Sequence, residues 1–257
     1  MSTVTFIGSG NVATHLALAL HAAGNTILQV WSREFDHAER LSSRVLAEPI
    51  DNIKLLYPTA DYYLLAISDD ALFDMALDLK LRDSIVLHTA GAVSMSVLRP
   101  ISRKYGVLWS PQTFIRDNAM DYTTLPFCIE GSSPQVEESI RNLMKPVSEH
   151  IYHVDSNQRQ WLHLAAVMVN NFGNALNALA SDLLNEMQIP FEILHPLITV
   201  TAEKIKQGDL WQQQTGPARR QDSKTLDKQR SLIAKDEKML QLYDLFTELI
   251  QQNTLKG

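Results

Sequence analysis

Thr3-Val4-Thr5-Phe6-Ile7-Gly8-Ser9-Gly10-Asn11-Val12-Ala13 opens the chain, and this stretch decides how the rest of its first half is read. Residues 3–7 form the short β-branched and aromatic run of a buried strand. From Ala13 onward the apolar residues Ala13, Leu16, Ala17 and Leu20 fall at the i, i+3, i+4, i+7 spacing of one helix face. Between strand and helix lies G-x-G-x-x-A. Gly8 permits a tight turn, Gly10 lets the backbone approach a diphosphate, and Ala13 keeps the helix close to the sheet. The free N–H groups and positive end of that helix supply an anion site. Gly8, Ser9, Gly10, Asn11 and Val12 are therefore the expected cofactor contacts; the competing reading is a purely structural glycine turn.

Working outward, short β-type runs alternate with helical patterns as far as residue 154. Strands are expected at Thr26–Trp31, Tyr62–Ile67, Ser84–His88, Tyr105–Trp109, Phe127–Glu130 and Ile151–Val154, with a polar helix over 34–45. Such a βαβ series calls for a mostly parallel sheet covered by helices. No strand pattern follows Asp155. Asp155 or Ser156 can cap a long helix reaching Met187, Pro190 can open another to about Gln207, and residues 223–252 read as helical with a break near Lys235–Lys238. The expected fold is α/β, a Rossmann-type mostly parallel sheet domain (1–154) followed by an all-α C-terminal domain (155–257).

Cofactor choice is written at the end of the second strand, where NAD enzymes place a carboxylate for the ribose 2′-OH. Here that strand ends Val30-Trp31-Ser32-Arg33. A hydroxyl and a guanidinium stand where a 2′-phosphate would arrive, which favours NADP over NAD. The alternative leaves Arg33 in solvent and gives the ribose to Glu34. Two further loops leave strand ends, Ile67-Ser68-Asp69-Asp70 and His88-Thr89-Ala90-Gly91, and both should border the nicotinamide half of the cofactor. Asp69 or Asp70 reads as a helix N-cap. His88 is either a satisfied core histidine or a proton donor near the ring.

Composition narrows the function classes. Twenty-three basic against 29 acidic residues give a net charge of −6, and no basic block is long enough to follow a phosphate backbone, so nucleic acid is not an expected partner. The longest apolar runs are too short to span a bilayer, so neither a membrane segment nor a signal peptide is expected, and a cytoplasmic protein is. The single cysteine, Cys128, makes no internal disulfide, and no Cys/His cluster has metal-ligand spacing.

The order GSGNVA, WSR, LLAISDDAL, HTAGA resembles the reductases related to pyrroline-5-carboxylate reductase, 6-phosphogluconate and β-hydroxyacid dehydrogenases and ketopantoate reductase. More narrowly, Gln112-Thr113-Phe114, His163-Leu164-Ala165-Ala166-Val167, Asn171-Phe172 and Thr215-Gly216-Pro217-Ala218-Arg219 resemble the bacterial branch that joins a Rossmann-like domain to a DUF2520 domain. The chain departs from that pattern at Trp109-Ser110-Pro111, where His/Tyr-Pro-Leu is expected, and at Arg220-Gln221-Asp222, where a short Gly-Asp turn is usual. The resemblance implies hydride transfer between a nicotinamide and a C=O or C=N carbon of a small acidic substrate. It also implies a cleft beside the first long C-terminal helix, which in the relatives carries a lysine and an asparagine. This helix lacks the lysine and instead carries His163 and Asn170, seven residues apart and so within about 20° of one face, with Asn171 adjacent. His163, Asn171 and His88 are the expected catalytic residues, and Asn170, Gln112, Thr113 and Arg219 the expected substrate contacts. An NADP-binding sensor without catalysis is the alternative.

The C-terminal helices carry long apolar faces, Trp161 to Leu184 and Ile233 to Ile250, too extensive for about 100 residues to cover alone. A homodimer through these helices is expected.

Overall fold

The computed structural model describes residues 1–81, 83–206 and 208–254. By its contacts the chain divides into two compact units, Met1–Ala175 and the segment from Leu176 on. The division falls inside the first long C-terminal helix, beyond the 154/155 boundary suggested by the change of sequence pattern.

In the first unit eight strands form one sheet: β1 (Thr3–Ile7), β2 (Thr26–Trp31), β3 (Glu48–Ile50), β4 (Tyr62–Leu65), β5 (Ile85–His88), β6 (Lys104–Trp109), β7 (Phe127–Gly131) and β8 (Ile151–His153). Their order is β3-β2-β1-β4-β5-β6-β7-β8. All pairings are parallel except β6 with β7. The chain reverses direction across the sheet between β1 and β4, which opens a ligand crevice at their carboxyl ends. β3 was not anticipated from the sequence. It has three residues, one of them Pro49, and a proline that donates no ladder bond carries little strand signal outside a sheet edge.

Alternation along the strands builds two cores. Val4 and Phe6 of β1 and Tyr62 and Leu64 of β4 pack under α1 (Asn11–Ala22), α2 (Phe35–Val45) and α4 (Pro134–Met144). Ile7, Tyr63 and Leu65 face the other way, against α3 (Asp69–Asp78) and the turn around Leu98. Successive strand residues point to opposite faces, so a doubly covered sheet needs apolar residues at nearly every position, as Tyr62-Tyr63-Leu64-Leu65 supplies. The N-cap of α3 is Ser68 rather than either aspartate, and Asp69 and Asp70 occupy the first turn, where their charge complements the helix dipole.

The long helix begins as α5 (Ser156–Ala166). Asp155 and Gln158 close a capping box at its start, the Asp155 side chain accepting from Gln158 N at 2.8 Å and Gln158 Oε1 from Asp155 N at 3.0 Å. Residues Val167–Phe172 then wind as a π-helical segment before α6 (Gly173–Glu186) resumes the ordinary pitch. Nothing in the residue periodicity announced this wider turn, which in other proteins recurs at functional sites.

The second unit contains α7 (His195–Ile205), α8 (Ser223–Leu232) and α9 (Glu237–Thr254). The gap between α8 and α9 falls at the expected break. The two helices are tied by Arg230 Nε donating to Asp244 at 2.6 Å and Tyr243 OH to Gln229 Oε1 at 2.6 Å, around the buried Leu226 and Thr247. No helix among the described residues is long and apolar enough to cross a membrane.

Candidate active site

Three backbone features shape the turn after β1. Gly8 has φ +115°, and a Cβ there would stand 2.2 Å from the Ala66 carbonyl oxygen, so only glycine lets β1 end this close to β4. Gly10 has an ordinary φ of −73°, and a Cβ there would meet nothing within 4 Å. The fold therefore does not need glycine at position 10; the open space in front of it is what glycine preserves. Finally, α1 starts with no side-chain cap and no acidic residue in its first turn, leaving its N–H groups for an incoming anion.

That turn forms one wall of a cleft of about 570 Å³ at the carboxyl ends of β1, β2 and β4. Gly8, Ser9 and Gly10 line it together with Ser32, Arg33, Ile67 and Ser68, all drawn from the expected cofactor contacts. Arg33 is exposed and has no ion-pair partner among the described residues. Glu34, the competing ribose ligand, does not line the cleft and lies 3.8 Å from His37 on the next turn. Asn11 stands exposed as the first residue of α1. Val12 lines a smaller cavity of about 70 Å³ shared with Thr89, Trp109, Ser110 and Gln112.

A second cleft, of about 320 Å³, lies between the segment following β6 and the α5–π helix, within the first unit. Gln112 and Thr113 form one side, and His163, Asn170 and Asn171 the other. Asn170 Nδ2 donates to Thr113 Oγ1 at 3.0 Å, and Gln112 Oε1 accepts from Thr113 N at 2.9 Å. The wide π turn places Val167, Asn170 and Asn171 on this cleft together with His163. His163 meets the Trp109 ring edge to face, with centroids 5.9 Å apart. It also lies over Gly91, where a Cβ would stand 2.6 Å from His163 Nδ1, so the glycine of HTAGA leaves room for the imidazole.

One lining residue escaped the sequence reading. Ser110 is only 8% exposed, lines both cavities beside Trp109, and its hydroxyl has no hydrogen-bond partner among the described residues. A buried hydroxyl left unpaired is costly. Its signal in the sequence was the departure Trp109-Ser110-Pro111 from the related pattern.

His88 stands apart from both clefts. It is fully buried at the end of β5, its Nδ1 accepts from Ala90 N at 3.2 Å, and burial, reinforced by the Arg159 charge, lowers its pKa to about 3. The structure thus corrects the view of His88 as a proton donor: an imidazole that stays neutral in the core and lines neither cleft is a packed core residue. Next to it is a network that periodicity could not reveal. Arg159, 1% exposed, donates from Nη1 to Glu130 Oε2 at 2.7 Å and from Nη2 to the Val93 carbonyl at 2.6 Å. Ser156 Oγ also donates to Glu130 Oε2, at 2.7 Å. This network fastens α5, one turn before His163, to β7 and to the loop that carries Gly91.

Arg219 belongs to the second unit, where its guanidinium donates to the carbonyls of Gln212 and Gln214 and so holds its own loop. No group of three or more potential metal ligands occurs among the described residues.

Comparison with known proteins places these features. The family model of a Rossmann-like domain matches residues 2–110, and that of DUF2520, a domain of unknown function, matches residues 125–250. Among solved structures, the "putative NADP oxidoreductase BF3122 from Bacteroides fragilis" is 34% identical, with a TM-score of 0.89 and 98% of each chain covered. Protein TM1727 from Thermotoga maritima is 21% identical with a TM-score of 0.78, again over 98% of each chain. An imine reductase from Myxococcus stipitatus, solved with NADP+, is 17% identical with a TM-score of 0.68, over 99% of this chain and 95% of its own. At the latter two identities the likeness is one of fold. No curated protein matches the sequence. The chain belongs to the family in which a Rossmann-like domain is joined to a DUF2520 domain.

Proposed function

We propose that this protein is an NADP-dependent oxidoreductase acting on the C=O or C=N carbon of a small, acidic substrate. The observation that carries the reading is the cleft in front of Gly10: an uncapped helix start, a glycine whose missing side chain the fold does not require, and Ser32 and Arg33 all facing one space. The Bacteroides relative, described as an NADP oxidoreductase, supports it. When bound, the nicotinamide supplies or accepts the hydride. The protein's part is to hold and orient. Ser9, Gly10, Asn11 and Val12 offer backbone N–H groups to the diphosphate, Ser32 and Arg33 take the 2′-phosphate, and Ile67 and Ser68 border the far end of the same cleft. In the neighbouring cleft His163 holds a proton for the substrate oxygen or nitrogen, oriented by the Trp109 edge and by the space over Gly91. Asn170, Asn171, Gln112 and Thr113 fix the substrate by amide and hydroxyl hydrogen bonds, and the unpaired Ser110 hydroxyl is a further donor there. Because Thr113 Oγ1 accepts from Asn170, its own hydrogen remains available to the cleft. Arg219 is engaged with the carbonyls of its own loop. Residues 1–154 would form the cofactor domain and residues 155–257 the substrate and dimerisation domain, in a cytoplasmic protein.

The helices also favour a homodimer. In the first unit Trp161 and Val169 are 69% and 80% exposed, and in the second Ile193, Leu197 and Leu232 are 66%, 62% and 76% exposed, apolar exposure unusual for a protein that works alone. Light scattering at micromolar concentration should give twice 29.0 kDa, and a clean monomer mass rejects the dimer.

The function is tested by following loss of reduced-nicotinamide absorbance with NADPH and a panel of keto and imino acids. Turnover that collapses in His163→Gln, with NADPH affinity retained, is the expected result. NADPH binding without turnover on any substrate would make the protein a sensor instead.

A further inference from the structure

Arg116 lies on the loop between β6 and β7, far in sequence from the glycine turn, yet its Nη2 donates to the Ser9 carbonyl at 3.3 Å. Its Nε is buried with no hydrogen-bond partner, and the side chain has no ion-pair partner among the described residues. A guanidinium carries five N–H donors and keeps its charge at any physiological pH. Among the described residues one donor is used, on a carbonyl of the turn. The side chain stands beside the uncapped start of α1 with its charge unneutralised.

The loop does not reach this position by chance contact. His15, 2% exposed on α1, has Nε2 2.8 Å from the Ile115 carbonyl, so that nitrogen carries the proton and donates. Its Nδ1 then accepts from the Tyr122 hydroxyl at 2.9 Å. Phe114 packs on the same ring, with centroids 5.2 Å apart. The helix that begins at the glycine turn therefore holds the two residues that precede Arg116, Phe114 and Ile115, against itself.

We infer that Arg116, which meets the turn at the Ser9 carbonyl, is a second binding element for the cofactor's diphosphate beside the backbone N–H groups. The inference rests on the proposed dinucleotide site and deepens it. It also gives the two clefts a covalent link: Gln112 and Thr113 of the substrate cleft sit within four residues of Arg116, so a diphosphate that draws in the guanidinium also steadies the loop presenting them. Arg116 reads a feature common to NADP and NAD, whereas Arg33 reads only the 2′-phosphate.

Dissociation constants for NADPH and NADH, measured by fluorescence titration of the full chain, separate these roles, with inorganic pyrophosphate as competitor. Losing a hydrogen-bonded charge in Arg116→Met should weaken NADPH and NADH alike, by roughly 10- to 100-fold, with their ratio unchanged. Pyrophosphate should displace NADPH from the wild type at lower concentration than from the variant scaled to its own affinity. Cofactor-free melting temperatures check the fold. Should Arg116→Met melt well below the wild type, Arg116→Lys decides, since it keeps the charge and loses the fork: a smaller loss shared by both cofactors supports the inference, and wild-type affinity overturns it. Affinities of Arg116→Met within about twofold of wild type for both cofactors also overturn it, as does a loss confined to NADPH. A wild-type protein that binds neither cofactor would overturn the dinucleotide site itself, an outcome distinct from wild-type binding that Arg116→Met leaves intact.

Discussion

Replacing Glu130 by glutamine removes one charge from a pair that is almost completely shielded from water, the side chains being 7% and 1% exposed. At 2.7 Å and an effective dielectric of 20, the attraction lost is about 6 kcal/mol. Glutamine still offers an oxygen to Arg159 and Ser156, and the carboxylate's own desolvation cost disappears, so the net effect is smaller. A buried pair broken on one side typically costs about 3–5 kcal/mol, because the remaining charge is left uncompensated. For a unit of this size each kcal/mol moves the melting temperature by about 2–4 °C, which gives a fall of roughly 6–20 °C. Urea denaturation of wild type, Glu130→Gln, Arg159→Met and the double variant measures it as a cycle. The double variant should be less destabilised than the sum of the single ones, since it buries no lone charge. A cost below about 1 kcal/mol for Glu130→Gln, with additive single effects, would refute the view that this pair anchors α5 and with it His163.

The glycines separate structural from functional roles. Gly10→Val should leave cofactor-free stability unchanged and abolish binding of both dinucleotides, because a Cβ there meets no atom within 4 Å and the branched side chain extends into the open space before the turn; retained affinity would mean the turn serves only the fold. Gly91→Ala places a methyl 2.6 Å from His163 Nδ1 and should cost about 1–3 kcal/mol in denaturant melts, with loss of turnover; a neutral effect on both would detach His163 from this loop. His88 makes stability depend on pH. Unfolded, it binds a proton below about 6.5, and folded it stays neutral down to about 3, so the unfolded state binds more protons across that window. Stability should therefore fall as pH is lowered from 6.5, at up to about 1.4 kcal/mol per unit. In urea melts between pH 6.5 and 5, His88→Gln should flatten that slope, and parallel slopes in the two proteins would contradict the assignment.

The sheet was legible because a doubly covered strand must be apolar on both faces, and runs such as Tyr62–Leu65 have little other use. The glycine turn was legible because its roles are backbone roles, tied to fixed offsets. Side-chain chemistry that depends on distant partners was not. Glu130 and Arg159 are 29 residues apart, and each alone reads as a surface charge. Arg116 and Ser9 are 107 apart. The π-helical turn is a backbone choice that leaves the hydrophobic spacing of residues 161–176 nearly intact. His88 illustrates the opposite limit: a strand end names a place near the crevice, and only the packing shows that the ring turns into the core.

The most direct test of the account is a calorimetric titration of the full chain with NADPH and, in parallel, NADH. Saturable NADPH binding at one site per chain is expected, clearly tighter than NADH, with the preference lost in Arg33→Ala through a selective weakening of NADPH by about 1.5–3 kcal/mol. Absence of binding by either cofactor, or equal affinity for both that Arg33→Ala leaves untouched, would contradict it.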